Sequence, residues 1–109
     1  MKLNEYQTLA LRTAKRGSFK DDLNHAALGV AGEAGEFADA VKKYTVYNRS
    51  FDLENAVEEL GDLLWYIALG CETLGITMSQ VAEQNISKLR ERYPEKYTDE
   101  LAEARLDKQ

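Results

Sequence analysis

Apolar residues recur every three or four positions along most of the chain, and this spacing predicts α-helices. A first helix is expected from Asn4 to about Lys15, and a second from about Asp22 to Tyr44. A third is expected from about Leu53 to Leu74. A fourth begins after Thr77 and stops at Pro94, because the residue before a proline avoids the α region.

The fold class that this pattern predicts is all-α. Seven glycines and one proline leave too few turn residues for an all-β fold, and residues 98–106 are expected to add only a short last helix. The second and third helices are separated by a break at Asn48, Arg49 and Ser50. We therefore predict a four-helix-type bundle with a central antiparallel helical hairpin, in one domain spanning residues 1–109.

The third predicted helix is apolar on nearly every side. Six residues at alternating three- and four-residue spacing are predicted to form its core face: Val57, Leu60, Leu64, Ile67, Cys71 and Leu74. Trp65 and Leu69 project from the other side. A helix that is apolar all round is buried all round, so we expect another subunit to complete the bundle. A nucleobase pocket on this second side is the alternative.

Polar residues at the predicted helix starts indicate how the helices are capped. Asn4 with Gln7, and Thr77 with Gln80, have the spacing of a capping box. Asp52 is expected to cap the third helix.

The two helices of the hairpin each carry a pair of carboxylates three residues apart, Glu33 with Glu36 and Glu59 with Asp62. Spacing alone is weak support, because the chain contains four such acidic pairs and about three are expected by chance. Both pairs, however, adjoin the apolar stripes and lie symmetrically about the break. An antiparallel hairpin would bring the four carboxylates level, and a divalent cation would relieve their repulsion. Oxygen ligands favour Mg²⁺, Mn²⁺ or Ca²⁺ over zinc.

The fourth helix offers a polar and basic stripe. Asn85, Lys88 and Arg92 follow one another at three- and four-residue spacing. Magnesium in proteins is often shared between carboxylates and substrate phosphates, and Lys and Arg neutralise phosphate charge. The residues therefore predict a site for a phosphate ester, with Lys88 and Arg92 receiving the phosphates.

The charge and composition of the chain exclude some classes of binding partner. The net charge of −5 argues against a nucleic acid polymer, because contacts with phosphates dominate that affinity. No stretch reaches the ~18 apolar residues of a membrane span, and residues 1–5 lack the apolar core of a signal peptide. We therefore expect a cytoplasmic protein that does not bind membranes.

The single cysteine and the single histidine are expected to be structural. Cys71 lies in an apolar run and is predicted to be a buried thiol. A di-iron carboxylate bundle would need a histidine three residues after a ligand Glu on each of two helices. His25 is alone near a helix start, so that class of site is excluded, and a contact with substrate is the alternative to a structural role for this residue.

Three motifs resemble those of the MazG-like nucleotide pyrophosphohydrolases, in the all-α nucleoside-triphosphate pyrophosphatase superfamily. They are GVAGEAGE at residues 29–36, EELGDLL at residues 58–64 and NISKLRERYP at residues 85–94. The start, LNEYQ at residues 3–7, is also typical of small single-domain members. The resemblance covers nearly the whole chain.

The resemblance implies Mg²⁺-dependent hydrolysis of nucleoside or deoxynucleoside triphosphates to the monophosphate and pyrophosphate, with Mn²⁺ as a substitute metal. The metal ligands, which form the catalytic group, would be Glu33, Glu36, Glu59 and Asp62. The residues that bind substrate would be Asn85, Lys88, Arg92 and Tyr93. A homodimer or homotetramer is implied, and removal of unwanted nucleotides is the expected role.

Several alternative interpretations of the sequence stay open at this point. Dimeric dUTPase-like enzymes and phosphoribosyl-ATP pyrophosphohydrolases share the helical scaffold. Outside the enzymes, the chain could be a non-catalytic helical dimer that binds a partner protein through the face of Trp65 and Leu69. Asn55 stands where some relatives have lysine, which would weaken one phosphate contact. The candidates for stacking on a base are Phe19, Tyr44, Tyr47 and Trp65, and Arg105 is a candidate to reach a neighbouring subunit's site.

Overall fold

Helices account for all the regular structure in residues 1–108, the part of the chain that the computed structural model describes. They are α1 Leu3–Leu11, α2 Phe19–Thr45, α3 Leu53–Thr73, α4 Met78–Arg92, α5 Asp99–Ala104 and a short 3-10 helix, Leu106–Lys108. The all-α prediction is confirmed. None of these helices is both long enough and apolar enough to cross a membrane.

Two of the predicted helix caps are confirmed. The Asp52 carboxylate accepts a hydrogen bond of 3.0 Å from the Asn55 amide at the start of α3. At the start of α4, the Gln80 amide donates to the Thr77 hydroxyl, and the Thr77 amide donates to the Gln80 side chain at 2.8 Å. Helix α2 begins earlier than predicted, because Ser18 caps it.

The predicted capping box of Asn4 with Gln7 is wrong. Helix α1 begins at Leu3, and no side chain caps its first turn. Instead, the Gln7 side-chain oxygen accepts a hydrogen bond of 2.7 Å from the Met78 amide, and that of Asn4 accepts one of 3.1 Å from the Ser79 amide. Both side chains therefore cap α4, at the other end of the sequence.

Helices α2 and α3 form the predicted antiparallel hairpin. The turn between them contains Asn48 in the left-handed region, at φ 55°, where Asn is among the best tolerated residues. Small buried residues, Ala26 and Ala40 on α2 and Ala56 on α3, let the two backbones approach closely. The hairpin is thus held by small side chains, and the larger ones are left for other contacts.

The core lies between α1, α3 and the start of α4. Ala10, Ala68, Cys71 and Met78 form its buried cluster, so Cys71 is the predicted buried thiol. The indole of Trp65 donates hydrogen bonds to the Ala10 carbonyl, at 3.1 Å, and to the Thr13 hydroxyl, at 2.9 Å. These bonds attach α3 to the end of α1.

The predicted assignment of the faces of α3 is only partly confirmed in the single chain. Leu69, expected on the outer side, is 1% exposed and Trp65 packs against the core. Four of the six residues predicted for the core face are exposed instead, Val57 58%, Leu60 48%, Ile67 37% and Leu74 55%. The other two are confirmed, because Cys71 is part of the buried cluster and Leu64 packs against it. The physical reason is that α1 packs on the Trp65 side. In the single chain, Leu69 is therefore already covered, and Trp65 is half-buried.

Candidate active site

Three carboxylates of the hairpin converge. Glu33 of α2 and Glu59 and Asp62 of α3 each offer an oxygen, and these oxygens lie within 4.8 Å of one another. Glu59 and Asp62 are three residues apart and share a face of α3, and the antiparallel packing sets Glu33 opposite them. Glu33 and Glu59 are half-buried, whereas Asp62 is exposed.

Glu36, the fourth predicted carboxylate, lies outside this tight group. It is exposed and follows Glu33 by about one turn of α2. Desolvation raises the pKa of Glu59, and the negative charges of its neighbours raise that pKa further. Those neighbours are Asp62, Glu33, Glu36 and Glu58. Glu36 thus acts on the cluster through its charge, and the cluster as a whole favours a positive ion or a proton.

The group of Glu33, Glu59 and Asp62 fits a divalent cation. Two oxygens bound to one Mg²⁺ are at most about 4.2 Å apart, and two bound to one Ca²⁺ at most about 5 Å. The separations here, up to 4.8 Å, need only small side-chain rotations to meet the first limit. Carboxylate oxygens are also the donors that these hard cations prefer.

An open pocket of about 350 Å³ lies beside the carboxylates, lined by Glu33, Asp62, Trp65 and Tyr66. Tyr66 was not predicted as a site residue, although its position four residues after Asp62 places both on one face of α3. On α1, burial raises the pKa of the Tyr6 phenol, and the negative charge of Asp62 raises it further.

Of the aromatic residues considered for base stacking, Trp65 is the one that lines this pocket. Tyr44 packs edge-on against Phe51, with ring centroids 5.5 Å apart, and Lys42 lies over the Tyr47 ring. Phe19 is exposed at the start of α2. Of the four aromatic residues, Trp65 is therefore the one that lies in position to contact a ligand in this pocket.

The residues predicted to bind phosphates lie on or just after α4, and none of the four lines the carboxylate pocket. Asn85 borders an apolar groove, and Lys88 is exposed. The Arg92 guanidinium donates two hydrogen bonds to the Asp107 carboxylate, of 2.8 and 3.0 Å. Tyr93 packs against the Tyr97 ring at 5.1 Å.

Two further positions have local roles. Asn55, where some relatives carry lysine, is half-buried in the first turn of α3. Arg105 ends α5 in the left-handed region, at φ 51°.

Comparison with known proteins gives the family. The sequence profile of the MazG nucleotide pyrophosphohydrolase domain matches residues 23–97, which include most of the hairpin and all of α4. The chain belongs to this MazG family. Membership supports a pyrophosphohydrolase that depends on a divalent cation, and the acidic cluster supplies suitable ligands.

A relative of the chain is known from a bacteriophage. The Gene 37 protein of Mycobacterium phage L5 is 38% identical over 80 residues, which cover 66% of this chain and 67% of the phage protein. No solved structure matches the chain significantly. The MazG assignment thus rests on the family profile, and the geometry of the hairpin is consistent with it.

Proposed function

We propose that this MazG protein hydrolyses nucleoside or deoxynucleoside triphosphates to the monophosphate and pyrophosphate with Mg²⁺, and that Mn²⁺ can substitute. The observation that carries the proposal is the convergence of Glu33, Glu59 and Asp62 on oxygen positions within 4.8 Å. An enzyme of this kind would remove unwanted nucleotides from the pool. Its free nucleotide substrates fit the cytoplasmic location expected from the sequence.

The chain's own residues have distinct tasks in this proposal. Glu33, Glu59 and Asp62 hold the ion, and Glu36 adds negative charge one turn away. Bound Mg²⁺ would polarise phosphoryl oxygens and lower the pKa of a bound water. The half-burial of Glu33 and Glu59 strengthens their electrostatic interactions, because they are less screened by solvent than exposed carboxylates are.

Lys88 and Arg92 are proposed to bind the phosphates, with Asn85 and Tyr93 beside them. Arg92 is paired with Asp107, so it would exchange one anion for another when substrate binds. Since α4 does not line the carboxylate pocket of its own chain, we further propose that a second copy helps to bring these groups and the carboxylates together.

A homodimer or homotetramer is therefore part of the proposal. The exposed apolar residues of α3 form a surface that we call the open α3 face, defined by Leu53, Val57, Leu60, Ile67 and Leu74. The radius of gyration is 17.0 Å, whereas about 13 Å is expected for a compact domain of this length. A chain this extended, with so much apolar surface in water, has a strong hydrophobic drive to associate.

The decisive experiment is a nucleotide panel assayed for pyrophosphate and monophosphate with Mg²⁺, with Mn²⁺, and with a chelator. We expect both products from triphosphates, and no turnover with the chelator. Activity confined to dUTP and dUDP would favour the dUTPase-like alternative, and activity confined to phosphoribosyl-ATP would favour the other. A folded protein that hydrolyses none of these substrates with either metal would overturn the proposal.

A further inference from the structure

The segment after α4, residues 93–108, leaves the end of that helix and returns to it. We call this segment the α5 strap. Helix α4 ends at Arg92, and Pro94 follows. After α5, the 3-10 helix Leu106–Lys108 packs back against α4. Asp107 thereby reaches Arg92, which lies fifteen residues earlier in the sequence. The strap is thus fastened at a residue that we propose to bind phosphate.

The contact between Arg92 and Asp107 is largely shielded from solvent. Both carboxylate oxygens accept hydrogen bonds from the guanidinium, of 2.8 and 3.0 Å. The Arg92 side chain is 17% exposed and that of Asp107 is 4% exposed. A bidentate fork of this kind is also how arginine binds a phosphate group. The Asp107 carboxylate therefore occupies donors that a phosphate would use.

Aromatic residues at the start of the strap also contact the guanidinium. The guanidinium carbon of Arg92 lies 6.0 Å from the centroid of the Tyr93 ring. That ring packs against the Tyr97 ring, and the Tyr97 hydroxyl donates a hydrogen bond of 2.7 Å to Asp99. Both ends of the strap are thus attached to the same arginine.

Lys88, the other basic residue proposed to bind phosphates, is in a different state. It precedes Arg92 by four residues and therefore shares its face of α4. Lys88 is exposed, and it forms no ion pair within residues 1–108. One of the two cations is accordingly available to a ligand, whereas the other already holds an anion of its own chain.

We propose that the α5 strap is an autoinhibitory element, in which Asp107 holds Arg92 until a polyphosphate displaces it. This inference rests on the proposed binding of phosphate by Arg92. A ligand that reaches Arg92 alone exchanges one anion for another and gains little. A polyphosphate that also contacts Lys88 gains a second ionic contact and displaces the carboxylate. The strap therefore favours ligands with several phosphates over monophosphates.

The backbone at Arg105 supports a strap that opens when its contact is lost. Arg105 joins α5 to the 3-10 helix and has a φ of 51°, in the left-handed region that residues other than glycine seldom adopt. Such a conformation persists where the surrounding structure holds it. Asp107 supplies a restraint only two residues later, so loss of its contact with Arg92 would release residues 105–108.

Binding of inorganic tripolyphosphate, measured by calorimetry, tests the strap without any need for hydrolysis. Asp107→Asn keeps the shape of the side chain and removes its charge. We expect it to bind tripolyphosphate roughly 10-fold more tightly or better, because a competent state populated at 10% or less weakens the apparent affinity by that factor. If Asp107 served only to anchor the segment, this affinity would stay unchanged or fall, and the proposal would be overturned.

Glu103→Gln is the matched control, since Glu103 is an exposed carboxylate of the same strap and its loss changes the net charge equally. Its affinity for tripolyphosphate should match that of the unchanged protein. Equal tightening in Glu103→Gln and Asp107→Asn would show a general effect of charge and would overturn the proposal. In an Arg92→Gln background, Asp107→Asn should have no further effect, because Asp107 acts through Arg92.

Hydrogen exchange reports release of the strap in the unchanged chain. The amides of Leu101, Arg105 and Lys108 donate hydrogen bonds within the strap. They should exchange faster when tripolyphosphate is added, and in Asp107→Asn they should exchange fast without it. Unchanged exchange of these amides at saturating tripolyphosphate would contradict displacement of the strap.

The outcomes separate this inference from the proposed function. Tighter binding of tripolyphosphate by Asp107→Asn, with no hydrolysis of any triphosphate, would support the strap and refute the proposed activity. Hydrolysis with the same KM in the unchanged protein and in Asp107→Asn, and with equal affinity for tripolyphosphate, would refute the strap and leave the activity standing.

Discussion

At the scale of single residues, the carboxylates of the hairpin differ in how closely they are grouped. Asp62 belongs to the tight group with Glu33 and Glu59, whereas Glu36 lies outside it. We predict that Asp62→Asn abolishes hydrolysis at every Mg²⁺ concentration, because a ligand is lost. Glu36→Gln should instead weaken metal affinity by about 10- to 100-fold, the typical cost of losing a supporting group. Activity measured over a Mg²⁺ titration distinguishes the two.

Asp39→Asn is the control for these variants, since Asp39 is another exposed carboxylate of α2, three residues beyond Glu36. It should behave like the unchanged protein. Circular dichroism should show the same helix content in all three variants. Full turnover in both Asp62→Asn and Glu36→Gln would contradict the metal site.

The acidic site could be predicted because the spacing of its residues and the position of the break between the two helices are both visible in the sequence. The convergence of Glu33, Glu59 and Asp62 follows from an antiparallel hairpin with its turn midway between the pairs. The packing of the Tyr66 ring of α3 against Gly29 of α2 could not be predicted in this way. Their contact depends on which faces of α2 and α3 meet, and a helix apolar on both sides does not indicate that.

At the scale of elements, α1 is joined to α4 by the buried side chain of Gln7. Its amide donates to the Ile76 carbonyl at 3.1 Å and accepts from the Met78 amide at 2.7 Å. We predict that Gln7→Leu lowers the free energy of unfolding by roughly 1–3 kcal/mol, because buried backbone groups lose their partners. Denaturant unfolding at a fixed protein concentration measures this loss.

Glu5→Gln is a suitable control, because Glu5 is an exposed residue of the same helix. A change within about 0.5 kcal/mol is expected there. If Gln7→Leu were as stable as the unchanged chain, Gln7 would not hold α1 to α4. The sequence spacing of Asn4 and Gln7 suggested a local cap, and the long-range contact overrode it because α4 begins directly beside α1.

At the scale of the whole molecule, the two apolar sides of α3 have different partners. One side, with Leu69 and Trp65, is covered by the chain's own helices. The other, the open α3 face, remains exposed. The sequence predicted burial of α3 on two sides, and the covering of the second side stays a prediction. It placed Leu69 and Trp65 on the outer side, whereas the chain's own helices cover them together with Cys71. The spacing of apolar residues shows that a helix face is apolar, but it does not show which element covers that face.

Association through the open α3 face is the prediction that follows at this scale. The unchanged protein should sediment at a multiple of 12.3 kDa, and its melting temperature should rise with protein concentration, because association stabilises the folded chain by mass action. The double variant Leu53→Gln/Leu74→Gln places polar amides at both ends of the face. We expect it to dissociate at concentrations where the unchanged protein stays assembled.

Leu28→Gln is the matched control, since Leu28 and Leu53 are each 65% exposed but Leu28 lies on α2. If nonspecific hydrophobic association held the chains together, substitution of either leucine would weaken the assembly equally. A specific interface on α3 predicts instead that Leu28→Gln stays assembled. A protein that sediments at 12.3 kDa at every concentration while remaining fully active would contradict the assembly. In that case α4 would have to reach the carboxylates of its own chain. Arg92 would release Asp107 and bind a substrate phosphate, and this exchange would free α4 to move.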